Sequence, residues 1–225
     1  MALPKKIEWV TFDVYGTLID WEKGITEAFQ KEADRDGFTL DKNELIPMFH
    51  EISREVEGGS YELYAEVLRR TAVEMAKRME WSLEPSRAGF LPDSVHRWPA
   101  FREANPNVVR FIKKFQTGLI SNIDDKLLGQ TRRHINQDYE LVVTAQQVRS
   151  YKPDPAHFNE FARRVGGKKG WVHITADHYH DVEPLLKLKV PVIWVNRRKE
   201  TLEGGMKKPT EEVRTLLEAA RLLGL

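Results

Sequence analysis

Five short stretches of the chain are apolar almost without interruption: IEWVTF at 7–12, TGLIS at 117–121, ELVVTA at 140–145, WVHIT at 171–175 and VIWVN at 192–196. Their β-branched and aromatic residues predict strands, and the weak polar alternation predicts strands covered on both faces. Between the later four lie DDKLLGQTRRHI, DPAHFNEFARRVG and DVEPLLKLK, whose apolar residues three and four apart read as crossover helices. Strand and helix in alternation predict an α/β fold, a Rossmann-like doubly wound parallel sheet whose post-strand loops share one edge.

The interval between the first two strands is too long for a crossover and is itself helical in pattern. KGITEAFQKEADRDGF, KNELIPMFHEISREVE and YELYAEVLRRTAVEMAKRM carry apolar residues at helical spacing, and Gly58-Gly59 separates the last two. This predicts a helical cap domain over 18–99 inserted into a core formed by 1–17 and 100–225. The final segment, PTEEVRTLLEAARLLGL, predicts one last helix with Thr210 as N-cap and Glu211 and Glu212 in its first turn.

Composition narrows the function classes. The 225 residues suffice for one substantial core with an insertion. Thirty-five basic against 34 acidic residues leave a net charge of +1, which gives no electrostatic ground for a nucleic-acid partner. Without cysteine there is no thiol nucleophile, disulfide or thiolate metal site. No run approaches the ~18 apolar residues of a membrane span. The opening MALPKKIEWV carries no secretory pattern, so the expectation is a soluble cytoplasmic protein acting on a small molecule, with a homodimer left open.

In a parallel sheet the chemistry sits where strands end. Here the ends carry Asp13, then Ser121 and Asn122, then Lys152 in the loop after the third strand, then Asp177 and Asp181. Singly, each is an ordinary turn, cap or surface residue. Taken together, FDVYGTL, LISN, YKPD and DHYHD, followed by VNR, resemble the four motifs of the haloacid dehalogenase (HAD) superfamily. The wording FDVYGTLID, SNIDD, RSYKPDP and WVNR is similar to its type II 2-haloacid dehalogenases.

That resemblance implies Asp13 as nucleophile, Thr17 bonded beside it, Lys152 holding it ionised, and Asp181 orienting the water that cleaves a covalent ester. It also implies that Ser121 and Asn122 bind the substrate carboxylate and departing group, with no cofactor required. Tyr15 occupies the place where the phosphatases of the superfamily carry a second aspartate to protonate a leaving alkoxide. A phenol of pKa about 10 is a poor acid for that task, whereas halide leaves without a proton. The ring would wall an apolar pocket, or merely pack between cap and core.

Three departures keep other readings open. The arginine expected in the second cap helix has no counterpart, since PMFHEISREVE offers only His50 and Arg54. Phe158 stands where a tyrosine is expected. Asp177 adds a third carboxylate to Asp13 and Asp181, a set that would suit Mg²⁺ and a phosphatase acting on a small phosphate ester, unless Asp177 instead caps the following helix. His178 and His180 lack the third partner of a transition-metal site. A fold retained for binding without turnover is the third reading.

Overall fold

The computed structural model describes residues 1–225. Six parallel strands, β1 (Trp9–Phe12), β2 (Gln116–Ser121), β3 (Leu141–Thr144), β4 (Trp171–Thr175), β5 (Val192–Val195) and β6 (Glu211–Val213), form one sheet of order β3-β2-β1-β4-β5-β6. Chain order reverses beside β1, which creates the crevice where such sheets bind ligands. Alternation along each strand sends residues to opposite faces. Val10, Phe12, Ile174 and Ile193 join one apolar cluster, while Ile120, Val143, Trp171 and Trp194 join another, as a sheet covered on both sides requires.

Between β1 and β2 the chain forms α1 (Trp21–Asp36), α2 (Lys42–Glu57), α3 (Tyr64–Arg78) and the short α4 (Phe90–Ser94). Asp20 and Asp41 cap the first two helices through Lys23 and Asn43 amides. Helix α3 has no such residue of its own. Its Tyr64 and Ala65 amides instead donate to the Asp124 carboxylate at 2.7 and 2.8 Å, from the loop after β2. The two crossing points of the insertion run side by side: Asp20 N–H donates to Pro99 C=O at 2.8 Å and Phe101 N–H to Leu18 C=O at 2.9 Å. Gly24 of α1 rests against Trp98 so closely that a Cβ there would lie 2.3 Å from the indole.

The rest of the chain completes the sheet's cover with α5 (Ala104–Ile112), α6 (Asp125–Thr131), α7 (Ala145–Val148), α8 (Ala156–Arg164), α9 (Glu183–Lys187) and α10 (Leu216–Leu222). No helix is long and apolar enough to cross a membrane. The expected helix from Thr210 onward is corrected here. Glu211–Val213 instead pairs in parallel with β5, and α10 starts only after Thr215, whose hydroxyl accepts from Glu218. Thr210 N–H is already given to Val192 C=O, so the sheet edge takes the residues that local helix propensity favoured.

Candidate active site

Strand β1 delivers Asp13 to the switch point, and Gly16, at φ +93°, turns the chain away in a conformation that side chains rarely adopt. Asp13 is 5% exposed. Its Oδ2 accepts from Thr17 Oγ1 at 3.0 Å and its Oδ1 from Lys152 Nζ at 2.9 Å. Thr17 Oγ1 in turn accepts from the Ala176 amide at 2.8 Å, which ties the ends of β1 and β4 together.

Lys152, 2% exposed, also donates to Asp181 Oδ1 at 2.8 Å and Oδ2 at 3.1 Å. One buried ammonium therefore serves two buried carboxylates. Burial pushes the Asp13 carboxyl up, with Lys152 opposing it, and the net direction is above the ordinary range. Burial acts the same way on Asp181, but Lys152 and His173 outweigh it and hold that carboxyl low. Lys152 is disfavoured by burial too, yet its two carboxylates raise it above its usual value, so it is a fixed cation.

The lysine loop is set by Asn122. Its Oδ1 accepts from the Lys152 amide at 2.7 Å and its Nδ2 donates to the Lys152 carbonyl at 3.1 Å. Both ends of the side-chain amide are thus spent on positioning that loop. Its backbone N–H, like that of Tyr15, has no protein acceptor. Ser121 Oγ is buried with no partner at all. Neutral donors for an anion are therefore gathered at the ends of β1 and β2.

A cavity of about 90 Å³ opens against these groups, lined by Asp13, Ser121, Asn122 and Lys152 from below and by side chains of the inserted helices from above. From α2 come Phe49, His50, Ser53 and Glu57, which share one helix face. Trp21, Tyr64 and Trp98 complete an aromatic wall, and the Trp21 indole N–H is bonded to no protein acceptor. Burial lifts the Glu57 carboxyl to about 7. Arg54, the other candidate on α2, does not reach this cavity. It lies 4.8 Å over the Tyr179 ring and lines a larger outer cleft of about 420 Å³ instead.

Tyr15 faces the cavity with its ring edge-on to Trp98 at 5.7 Å, and its hydroxyl is bonded to Thr131 Oγ1 at 2.8 Å. Burial raises the phenol further above its ordinary value, so it is a still weaker acid than its type suggests. Phe158 is fully buried beside the His173 ring and offers no hydroxyl.

Asp177 does not join Asp13 and Asp181 as a ligand set. It caps the single turn His178–Val182, with Oδ1 accepting from the His180 amide at 2.8 Å and Oδ2 from His180 Nδ1 at 2.7 Å. Burial opposes its charge, but His180 outweighs burial and holds the carboxyl well below the usual range. No three of the His, Asp and Glu side chains are arranged to hold a metal ion. With the Asp13, Asp177 and Asp181 oxygens already accepting from Lys152, Thr17, Thr175 and His180, the carboxylates as placed do not fit Mg²⁺. The expectation that three carboxylates face a single lysine is corrected: the third has its own histidine. Asp181, wholly buried, is absent from the cavity wall where it was expected to orient a water.

Sheet order, the switch point and a buried carboxylate paired with a buried lysine define a Rossmann-like α/β protein with its site at the strand ends. Residues 7–182 match the model of the haloacid dehalogenase-like hydrolases, and the chain belongs to that family. It is 23% identical over 224 residues to an (S)-2-haloacid dehalogenase of Pseudomonas putida, with 97% of each chain covered. Its fold is similar to the L-2-haloacid dehalogenase of Xanthobacter autotrophicus with chloropropionic acid covalently bound, at a TM-score of 0.83 and 14% identity over 97% of this chain and 98% of that one. It is equally similar to a magnesium-bound HAD hydrolase of Bacillus subtilis, with a TM-score of 0.83 and 14% identity over 98% of this chain and 100% of that one.

Proposed function

We propose that the protein hydrolyses the carbon–halogen bond of a small 2-haloalkanoic acid through an ester on Asp13. The observation that carries this reading is Tyr15. At position 15, where an acid would protonate a leaving alkoxide, stands a phenol whose hydroxyl is held by Thr131. Halide needs no proton. In this reading residues 18–99 act as a cap over the site, with Asp124 docking α3 onto the core loop.

The steps follow from the placed groups. The substrate carboxylate takes the Ser121 hydroxyl and the Asn122 and Tyr15 amides, which have no other acceptor. This directs C2 toward Asp13, whose oxygens Lys152 and Thr17 hold in one orientation. An Asp13 oxygen attacks C2 in line and halide departs into the wall of Trp21, Phe49 and Trp98. Ring edges and the free indole N–H carry partial positive charge there, which supplies a halide site without the missing arginine. Water then opens the ester. The test is halide release from L-2-chloropropionate and fluoroacetate, and an enzyme that frees no halide from any small haloacid ends this reading. A Mg²⁺-dependent phosphatase would instead release phosphate from small esters and stop in EDTA.

A further inference from the structure

The proposed reaction needs a base for its second half, and the groups in reach of the cavity can be counted. Asp181 is not among them: it is fully buried and both oxygens are engaged, Oδ1 by Lys152 and Oδ2 by Lys152 and Thr175. Lys152 is a fixed cation. Asp13 is the esterified group itself. Asp177 has both oxygens on His180. Of the cavity's remaining titratable groups, His50, Glu57 and His180, only His180 is oriented by a carboxylate, with Nδ1 bonded to Asp177 Oδ2 at 2.7 Å and Nε2 bonded to nothing in the protein. A carboxylate on Nδ1 fixes the ring and selects the tautomer whose Nε2 lone pair is free to take a proton.

We propose that His180, oriented by Asp177, is the general base that activates the water hydrolysing the Asp13 ester, so that an Asp–His pair supplies the proton transfers of that step. Asp13 and His180 both line this cavity of about 90 Å³, so a water held in it has access to both. The water proton moves to Nε2 as the oxygen adds to Asp13 Cγ. The bond between Cγ and the alkyl oxygen then breaks, and the hydroxy acid leaves with the proton from Nε2. Asp13 keeps one oxygen from water and releases its own proton to return to the carboxylate. Nothing is oxidised or reduced. The groups facing His180 are Asp177 and Tyr179 on its own turn, Glu57, His50 and Arg54 from α2, and Lys152. Burial lowers the imidazole value, but Asp177 and Glu57 outweigh it and raise it above 6.5.

This inference rests on the dehalogenase reading, and a rapid-quench experiment separates the two. Wild type, His180→Asn and Asp177→Asn are mixed with excess L-2-chloropropionate, and halide release and the Asp13 ester are followed by mass spectrometry of the quenched protein. His180→Asn is expected to release one equivalent of halide per site in a burst. Its turnover then slows by about 100-fold or more, the usual contribution of a general base, while the ester accumulates. Asp177→Asn slows the same step. Ester decay in wild type rises with pH through the imidazole value and is flat in His180→Asn, a change that a merely structural residue would not produce. Turnover of His180→Asn within about threefold of wild type, or loss of the burst along with turnover, overturns the assignment while leaving the dehalogenase reading in place. Failure of wild type to release halide or form the ester sinks both.

Discussion

Replacing Lys152 with methionine tests the electrostatic centre of the site. The ammonium makes three contacts of 2.8–3.1 Å with Asp13 and Asp181 in a region where all three side chains are nearly or fully buried. Removing one partner of such a cluster leaves buried charge uncompensated and costs about 3–5 kcal/mol. The pH dependence distinguishes this from a packing defect. In wild type, Lys152 has a raised value, so its contribution is present below its unfolded value and is lost only as pH climbs through the folded one. Asp181 has a lowered value, so its contribution is present above its unfolded value and disappears only as pH falls through the folded one. Without the lysine, both carboxyl groups prefer the protonated form and their folded values rise. The variant therefore regains stability as pH falls through those raised values. Urea midpoints should show the gap to wild type widest near pH 8 and narrower near pH 5. A gap that stays constant with pH, or a variant as stable as wild type, would refute the account.

Two further outcomes follow from single hydrogen bonds. Tyr15→Phe removes the 2.8 Å bond to Thr131 and should cost about 1 kcal/mol in urea unfolding while halide release changes by less than ~3-fold. A 100-fold fall would mean that the phenol takes part in the chemistry. Asp124→Ala uncaps α3 at two amides and should lower stability by about 1–2 kcal/mol, with earlier proteolysis within residues 21–94 than in the sheet; an unchanged midpoint would remove the docking role.

The five buried strands were legible because a parallel sheet covered on both faces needs near-continuous apolar runs, and the three long inserted helices because their apolar spacing is strong. Strand β6 was not. Glu-Glu-Val has helix-friendly residues, and only the neighbouring β5 edge makes them extended, a tertiary cause that local pattern does not carry. Helix α5 was also missed, since Pro106 interrupts a short segment. At the site, the strand-end residues were found by position, and Asp13, Thr17, Lys152 and Asp181 do meet in one network. What the spacing could not tell was which atoms are already spent. Asn122 and Asp181 are consumed by Lys152, and Asp177 by His180. Of the residues lining the cavity from above only His50 was named, although Phe49, Ser53 and Glu57 repeat every four residues, because a helix presents such a stripe equally well to a core.

Charge balance connects the replaced aspartate at position 15 with the added one at 177. A phosphate ester brings two negative charges to a superfamily site that meets them with a metal ion. Here the one buried ammonium is already shared by two carboxylates, and the remaining acid is matched by its own histidine. The unspent groups are neutral: the Ser121 hydroxyl, the Asn122 and Tyr15 amides, and the Trp21 indole. Neutral donors suit a monoanion, because they stabilise one carboxylate without demanding a counter-charge. Placing a tyrosine at 15 removes a carboxylate that such a substrate would have to be bound against, and it removes with it the acid that only a poor leaving group needs. Asp177 restores a carboxylate, but in a position where it orients the His180 imidazole, so in the proposed reaction the proton chemistry that carbon–halogen cleavage does not need would serve the ester hydrolysis.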